Sequence, residues 1–191
     1  MKNRIALLLL LAASFVSELY AQDLASLKTE AKKTYEASAN LNFDAIFEHT
    51  YPKVFDIVPK EQMKEMFDQM MANENFSIKL IPVAPNFKFG EIKKIDNKFF
   101  CVVEHDNAMT MKFNKPMENA ENLTETFKTS MKADDVTYDK ATNTFSIKMR
   151  STMIAVADEL TKNKWKFLNN DKSGQLFSMI FNEKTKTELG F

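Results

Sequence analysis

The sequence predicts an α+β fold in which N-terminal helices pack on a curved, mainly antiparallel sheet within a single domain. Apolar residues recur every three to four positions up to residue 71, which is the period of an amphipathic helix. From Phe76 the period changes to two, the period of a strand with one covered face. Residues 116–132 then return to helical spacing before the last strands, so the helices and strands are largely segregated along the chain.

Residues 1–21 are predicted to be a secretory signal peptide. Two basic residues open the segment, and residues 5–13 form an apolar run that is too short to span a bilayer. Ala21 supplies the small residue that signal peptidase needs before its cut. Cleavage after Ala21 leaves residues 22–191 as one α+β domain. We therefore expect a soluble protein without a membrane span that is secreted or periplasmic.

The charge of the mature chain excludes some partners. Cleavage of 21 residues from 191 leaves 170, and the 26 basic residues become 24 because Lys2 and Arg4 are lost. The 26 acidic residues become 25 with the loss of Glu18, so the net charge is near −1. Nucleic acids and anionic membranes bind concentrated basic surfaces, so we expect no nucleic-acid partner and a monomer or weak dimer. Cys101 is the only cysteine, which excludes an intramolecular disulfide.

Three helices are predicted before the sheet. Asp23 can cap the first, whose apolar stripe covers residues 24–39. Asn42 opens a short second helix that must break at Pro52, and Pro59 is well placed to start the third. The stripe of the third helix is predicted to pack against the sheet, so Met66→Ala is expected to cost about 2–5 kcal/mol. That stripe consists of Met63, Met66, Phe67, Met70 and Met71.

The strands follow in order. A turn at 95–98 leads into a long strand over residues 99–113, whose start is apolar on both faces, as in a central strand covered on both sides. A helix capped by Asn182 and ended by Gly190 closes the chain, and residues 174–181 fit either a helix or a strand. The other predicted strands cover residues 76–82, 87–95, 136–138, 144–157 and 165–169.

This order of elements resembles the cone-shaped α+β fold of the nuclear-transport-factor-2-like, or ketosteroid-isomerase-like, superfamily. A late hairpin carries the local likeness, with the turn and strand Thr161-Lys162-Asn163-Lys164-Trp165-Lys166-Phe167. The resemblance implies a pocket between the sheet and the helices, but members include isomerases, dehydratases, ligand binders and scaffolds, so it implies no single reaction. The superfamily's catalytic acids and tyrosine match no identifiable positions here. A helix-grip or lipocalin-like barrel is the alternative, which three leading helices fit poorly.

Four residues are candidates for chemistry in such a pocket: Glu104, Asp106, Tyr51 and Arg150. Side chains alternate along a strand, so Glu104 and Asp106 share one face and His105 lies on the other. The three side chains therefore cannot coordinate the same metal ion. The two carboxylates are either a general-base pair with raised pKa values or a solvated strand end. Arg150 is either a bidentate anion-binding group or a residue at an exposed edge of the sheet.

The chain has few residues or motifs of the kinds that bind metals or cofactors. His49, near a predicted helix end, is expected to be a surface cap. The methionine stripe offers thioether ligands for Cu(I), but methionine is normally a core filler. The chain contains no Gly-rich phosphate loop, no Cys-x-x-Cys pair and no His-Glu-x-x-His motif. We expect neither a metal nor a cofactor.

Two functions remain open. The leading interpretation is a non-catalytic exported domain that binds a small apolar or amphipathic ligand, or a protein partner. The alternative is a metal-independent lyase, isomerase or hydrolase that uses a carboxylate in the pocket. A pocket carboxylate would favour the enzyme, and a pocket lined only by Phe and Met would favour binding.

Overall fold

The computed structural model describes residues 24–169 and 174–191, which form seven helices and one seven-stranded sheet. The helices are α1 (Leu24–Ala39), α2 (Phe43–His49), α3 (Val54–Ile57), α4 (Lys60–Met71), α5 (Ala120–Met131), α6 (Gln175–Ile180) and α7 (Glu183–Leu189). The strands are β1 (Phe76–Ile81), β2 (Lys88–Phe89), β3 (Lys93–Ile95), β4 (Lys98–Phe113), β5 (Ala133–Asp139), β6 (Thr144–Ala157) and β7 (Lys166–Asn169). The α+β prediction is confirmed, with a curved, open, antiparallel sheet. The predicted signal peptide and the Asp23 cap lie outside the described residues.

The two long strands β4 and β6 form the centre of the sheet and pair continuously with each other. β1, β2 and β3 pair one after another with the outer edge of β4. On the edge of β6 that faces away from β4, two strands pair with opposite ends of β6. β5 pairs with residues 144–149, and β7 pairs with residues 153–156. Within the described chain, residues 150–152 therefore have no strand partner on that side, and we call this interruption the edge gap.

The odd-numbered side chains of β4 and β6 share one face of the sheet, which we call the odd face. At one end of it, Leu27 and Ala31 of α1 are fully buried against a cluster that includes Val103. At the other end, Phe127 of α5 packs on Phe145, with ring centroids 5.2 Å apart. The two helices cover the ends of this face and leave its middle between them.

The opposite face, which we call the even face, is covered at one end only. There Phe100 and Ile154 pack with Tyr51 and with Phe177 of α6. Toward the other end, Lys148 is exposed to solvent. The start of β4 therefore has apolar cover on both sides, which confirms the prediction for a central strand.

Two turns explain how the short strands meet β4. Asp96 and Asn97 both have positive φ, 47° and 61°, as in the two-residue hairpin turns that favour such residues. The single strand predicted over residues 87–95 is instead divided into β2 and β3. At the division, the Gly90 N–H donates to the Val102 carbonyl at 2.9 Å. A Cβ at Gly90 would lie 3.2 Å from the same oxygen, so the close approach favours glycine.

Most predicted helix boundaries hold, and two ambiguous regions are settled. Asn42 caps α2 by accepting from the Ala45 N–H at 3.2 Å, and Asn182 caps α7 in the same way. Gly190 ends α7 with φ 86°. Residues 175–180 are helical, and α3 is a short helix that the spacing of apolar residues did not predict.

The prediction for the methionine stripe of α4 is wrong. No residue of α4 is buried, and Met66 and Met70 are 56% and 50% exposed. α4 is anchored by Phe67, whose ring lies 5.3 Å from that of Phe43, and by Met63. The helix therefore lies at the rim of the molecule rather than on the sheet. Helical periodicity identifies an apolar side but does not tell how much of it is covered.

Candidate functional site

A cavity of about 620 Å³ lies over the middle of the odd face, between the C-terminal halves of α1 and α5. Its floor consists of alternate residues of the two central strands, His105 and Asn107 from β4 and Met149, Ser151 and Met153 from β6. His105 is directly opposite Ser151, and Asn107 is opposite Met149. The floor therefore has polar groups at its centre and methionines beside them.

Three other elements contribute to the walls of the cavity. α1 contributes Tyr35 and Ser38, β1 contributes Leu80, and α5 ends at the cavity with Met131. The hydroxyl of Tyr35 donates to the Val83 carbonyl at 2.9 Å and is thereby fixed. On the remaining side, the cavity reaches the edge gap, where Arg150 and Thr152 of β6 line it. Because no strand of the described chain pairs with β6 at the edge gap, side chains from both faces of β6 line the cavity there.

His105 is the buried titratable group of this site. It is 9% exposed and packs against the rings of Tyr35 and Phe87, with centroid distances of 5.5 and 6.1 Å. Its Nδ1 lies 3.3 Å from the Asp106 carbonyl, which favours the tautomer that donates from Nδ1. Burial lowers the pKa of His105 below its usual range. The imidazole is therefore neutral at pH 7, with Nε2 as a hydrogen-bond acceptor.

Glu104 and Asp106 lie on the even face, away from the floor, as strand alternation predicted. Arg150 joins them: its Nε is 3.2 Å from Glu104 Oε2, and one of its terminal nitrogens is 2.6 Å from Asp106 Oδ1. The side chain of Asn86 also donates to Asp106 at 2.7 Å. Hydrogen bonds from Asn86 and then from Arg150 lower the pKa of Asp106. A raised pKa, which the general-base interpretation requires, is therefore not found at Asp106.

Tyr51 is separated from the other three candidates. It is fully buried on the even face, where its ring stacks on Phe181 with centroids 5.6 Å apart. Its hydroxyl donates to Asp158 Oδ2 at 2.8 Å. Burial and then this hydrogen bond raise the pKa of Tyr51. Its contacts are those of a core residue, and it does not line the cavity.

Cys101 belongs to the apolar cluster under α1. It is fully buried, and burial raises the pKa of its thiol to about 11. A thiol of this kind is protonated and inert at neutral pH, because the thiolate is the reactive form.

His49 is buried, so its expected role as a surface cap is wrong. It is 9% exposed at the contact between α1 and α2, and its Nδ1 lies 3.4 Å from Glu30 Oε2. This nitrogen makes no hydrogen bond in the described part of the chain. Burial lowers the pKa of His49 more than the attraction of Glu30 raises it. The prediction used only the position of His49 near a helix end, and the sequence did not show that α1 packs over His49.

The protein is expected to lose stability as the pH falls below about 6.5, because its two histidines are buried in the neutral form. Their folded-state pKa values lie below the unfolded value of about 6.5, so the unfolded chain binds more protons in this window. The stabilisation is complete above about pH 6.5 and is lost as the pH falls toward the folded-state pKa values. The lowered pKa values of Asp96, Asp106 and Asp139 act only below about pH 4.

Thermal melting at pH 7.5 and pH 5.0 measures this effect. In His105→Gln, the difference in Tm between the two pH values should be smaller than in the wild type, because one of the two titrating groups is gone. A wild-type Tm that is as high at pH 5.0 as at pH 7.5 would contradict the assignment of neutral buried histidines.

Comparison of the chain with models of protein families, with curated proteins and with solved structures finds no match. In the described part of the chain, no helix combines the length and the hydropathy needed to cross a bilayer. Across the same residues, no three His, Cys, Asp or Glu side chains converge on a point that could hold a metal ion.

The site thus differs from the one that the sequence suggested. Of the four candidate residues, only Arg150 lines the cavity, and it is already paired with two carboxylates. Asn107 and Ser151 were not singled out from the sequence, although both lie on the cavity floor. The pairing of β4 with β6 would have revealed them, because Asn107 and Ser151 are diagonal neighbours across these strands.

Proposed function

We propose that the protein is exported through its predicted signal peptide and that its cavity binds a small amphipathic ligand. The observation that carries this proposal is the composition of the cavity lining. Leu80, Met131, Met149 and Met153 offer apolar surface, and the polar groups of the floor lie next to them. A volume of about 620 Å³ is within the usual range for small-molecule sites, which is roughly 300–1,000 Å³.

The polar groups of the floor support an amphipathic rather than a purely apolar ligand. In the described chain, the side chains of Asn107 and Ser151 make no hydrogen bond to protein, and neither residue is fully exposed. Both side chains line the cavity and are therefore available to a ligand. A hydroxyl, carbonyl or similar group on a ligand would satisfy them, while the methionines would contact its apolar part.

Membership of the nuclear-transport-factor-2-like superfamily is part of the same proposal. Its support is the order of the elements, with helices first, and a cavity enclosed by a curved antiparallel sheet and the helices on it. The superfamily includes both enzymes and binding proteins, so membership does not by itself decide between them.

The binding proposal is tested with a series of linear alcohols, octanol to dodecanol, that displace a fluorescent apolar probe. Each methylene that the cavity buries contributes about 0.8 kcal/mol, which is about fourfold in affinity. Ser151→Phe should fill part of the cavity and abolish binding with little change in Tm. Ser146→Phe is the matched control, because Ser146 is an exposed residue of β6 on the even face.

Two further results decide the proposal. Native mass spectrometry of the protein purified from its own host should show a chain that starts within one residue of Gln22 and a retained small molecule. Equal binding by the Ser151→Phe and Ser146→Phe variants would show that the alcohols bind elsewhere, and the proposal would fail.

A metal-independent enzyme is the second candidate, and the position of His105 favours it. A neutral imidazole that lines a cavity can act as a general base through its unprotonated nitrogen. No Asp or Glu is among the described residues that line the cavity, so the chemistry would depend on His105 instead of a carboxylate. Recovery of the host-derived ligand unchanged after long incubation with fresh protein supports binding, and its conversion to a new mass supports catalysis.

A further inference from the structure

Among the described residues that line the cavity, all the side chains that carry a fixed charge are basic. Lys132, Arg150 and Lys186 line it, and no carboxylate is among the described lining residues. This is unusual in a chain whose 26 acidic residues equal its 26 Lys and Arg residues in number. Arg150 is neutralised by Glu104 and Asp106 on the even face, so the excess positive charge comes from the two lysines.

Lys186 is incompletely paired. It belongs to α7, its side chain is 29% exposed, and its ammonium lies 3.9 Å from Glu183 Oε1. This distance is too long for a hydrogen bond, and Glu183 itself is 78% exposed. Lys184 on the same helix is different, because it approaches Asp96 at 2.7 Å and faces away from the cavity lining. A partly buried ammonium with a loose, solvated partner can pair with an anionic ligand.

Lys132 lies on another side of the cavity. It follows the last residue of α5 and has a left-handed backbone, φ 46° and ψ 43°, whose N–H closes the helix on Lys128 and Thr129 carbonyls. In the described chain, no carboxylate oxygen lies within 4.0 Å of its ammonium. α5 leads into β5, and β5 begins beside the edge gap, so Lys132 lies next to the gap, whereas Lys186 reaches the cavity from α7.

We infer that the ligand of the cavity is an amphipathic carboxylate, whose anionic group is held by Lys132 and Lys186. This inference rests on the proposed function and adds the class of ligand to it. The apolar part of the molecule lies against Leu80, Met131 and the methionines of the floor. The carboxylate is balanced by two ammonium groups, and no fixed acidic group of the described lining opposes it.

Three ligands of equal chain length test the inference: dodecanoate, dodecanol and dodecyltrimethylammonium. Their Kd values for the purified mature protein are measured by probe displacement below the micelle concentration, at low and at physiological ionic strength. Dodecanoate should bind about tenfold more tightly than dodecanol, as expected for a charge-assisted hydrogen bond, and the ammonium should bind most weakly. The advantage of dodecanoate should shrink as salt is added.

Variants with one lysine replaced identify the groups responsible. Lys132→Gln and Lys186→Gln should each weaken dodecanoate binding about three- to tenfold and leave dodecanol binding within about twofold. Lys128→Gln and Lys184→Gln are the matched controls on the same two helices, since both lysines pair with other residues. Circular dichroism confirms that each variant is folded.

The outcomes separate this inference from the proposed function. If dodecanol binds but dodecanoate binds no more tightly, or if the control variants weaken dodecanoate equally, the headgroup assignment is wrong and the cavity proposal stands. If none of the three molecules binds, both fail. A dodecanoate preference that is lost in Lys132→Gln and Lys186→Gln supports both.

Discussion

Replacing Phe145 by Ala is expected to lower the free energy of unfolding by about 3–5 kcal/mol, the usual cost of removing a buried aromatic ring. Phe145 is fully buried. Its ring centroid lies 4.6 Å from that of Tyr138, 5.2 Å from Phe127 and 5.8 Å from Phe113. Phe145 therefore packs β6 against α5, β4 and β5. Removal of its ring would leave a cavity, and all four elements would have to move to fill it.

Met66→Ala is the matched control for this prediction. Because Met66 is 56% exposed, the substitution should change the free energy of unfolding by no more than about 0.5 kcal/mol. Denaturant titrations of both variants measure the two values. A loss for Met66→Ala as large as that for Phe145→Ala would show that α4 packs on the core after all.

Asp158→Ala is expected to destabilise the protein by a similar amount, about 3–5 kcal/mol, for a different reason. Asp158 is 4% exposed and lies where β6 enters the turn before β7. Its carboxylate accepts from the Tyr51 hydroxyl at 2.8 Å and from the Thr161 N–H at 3.0 Å, and Lys98 lies 3.4 Å away. Alanine would leave the two donors buried without a partner, at about 1–3 kcal/mol each.

Two other variants separate these contributions. Asp158→Asn keeps an acceptor for one of the two donors, and its amide N–H can donate to the Tyr51 oxygen, so it should cost less than Asp158→Ala. Tyr51→Phe removes only one donor. Asp135→Ala is the control, because Asp135 is 52% exposed and its ion pair with Lys148 is 3.8 Å long. Equal denaturation midpoints for Asp158→Ala and Asp135→Ala would refute the role assigned to the buried carboxylate.

The elements of the fold were predictable because their signals are local. The change of period at Phe76, the cap at Asn182 and the stop at Gly190 each depend on a few neighbouring residues, and the structure confirms them. The apolar run at the start of the long strand also indicated cover on both faces. The extent of burial was not predictable in the same way. Met66 and His49 illustrate this, since their exposure depends on which other elements lie over them.

The site depends on register, which the sequence does not show. Arg150 meets Asp106 because these two residues are paired across β4 and β6, and a shift of one residue would place Arg150 on the odd face. The cavity depends further on where β5 and β7 begin and end along β6. The alternation of side chains along β4 predicted the correct face for His105. It did not predict that Tyr35 and Phe87, which are distant in sequence, pack against the imidazole.

The unequal cover of the two ends of the sheet has a consequence for motion. At the α1 end, apolar clusters hold both faces, whereas α5 has no buried residue and contacts one face only. Segments with few buried contacts open at a lower free energy than the rest of a domain, so the backbone amides of α5 should exchange with solvent sooner than those of α1. Since the last turn of α5 lines the cavity, each such opening would widen the entrance.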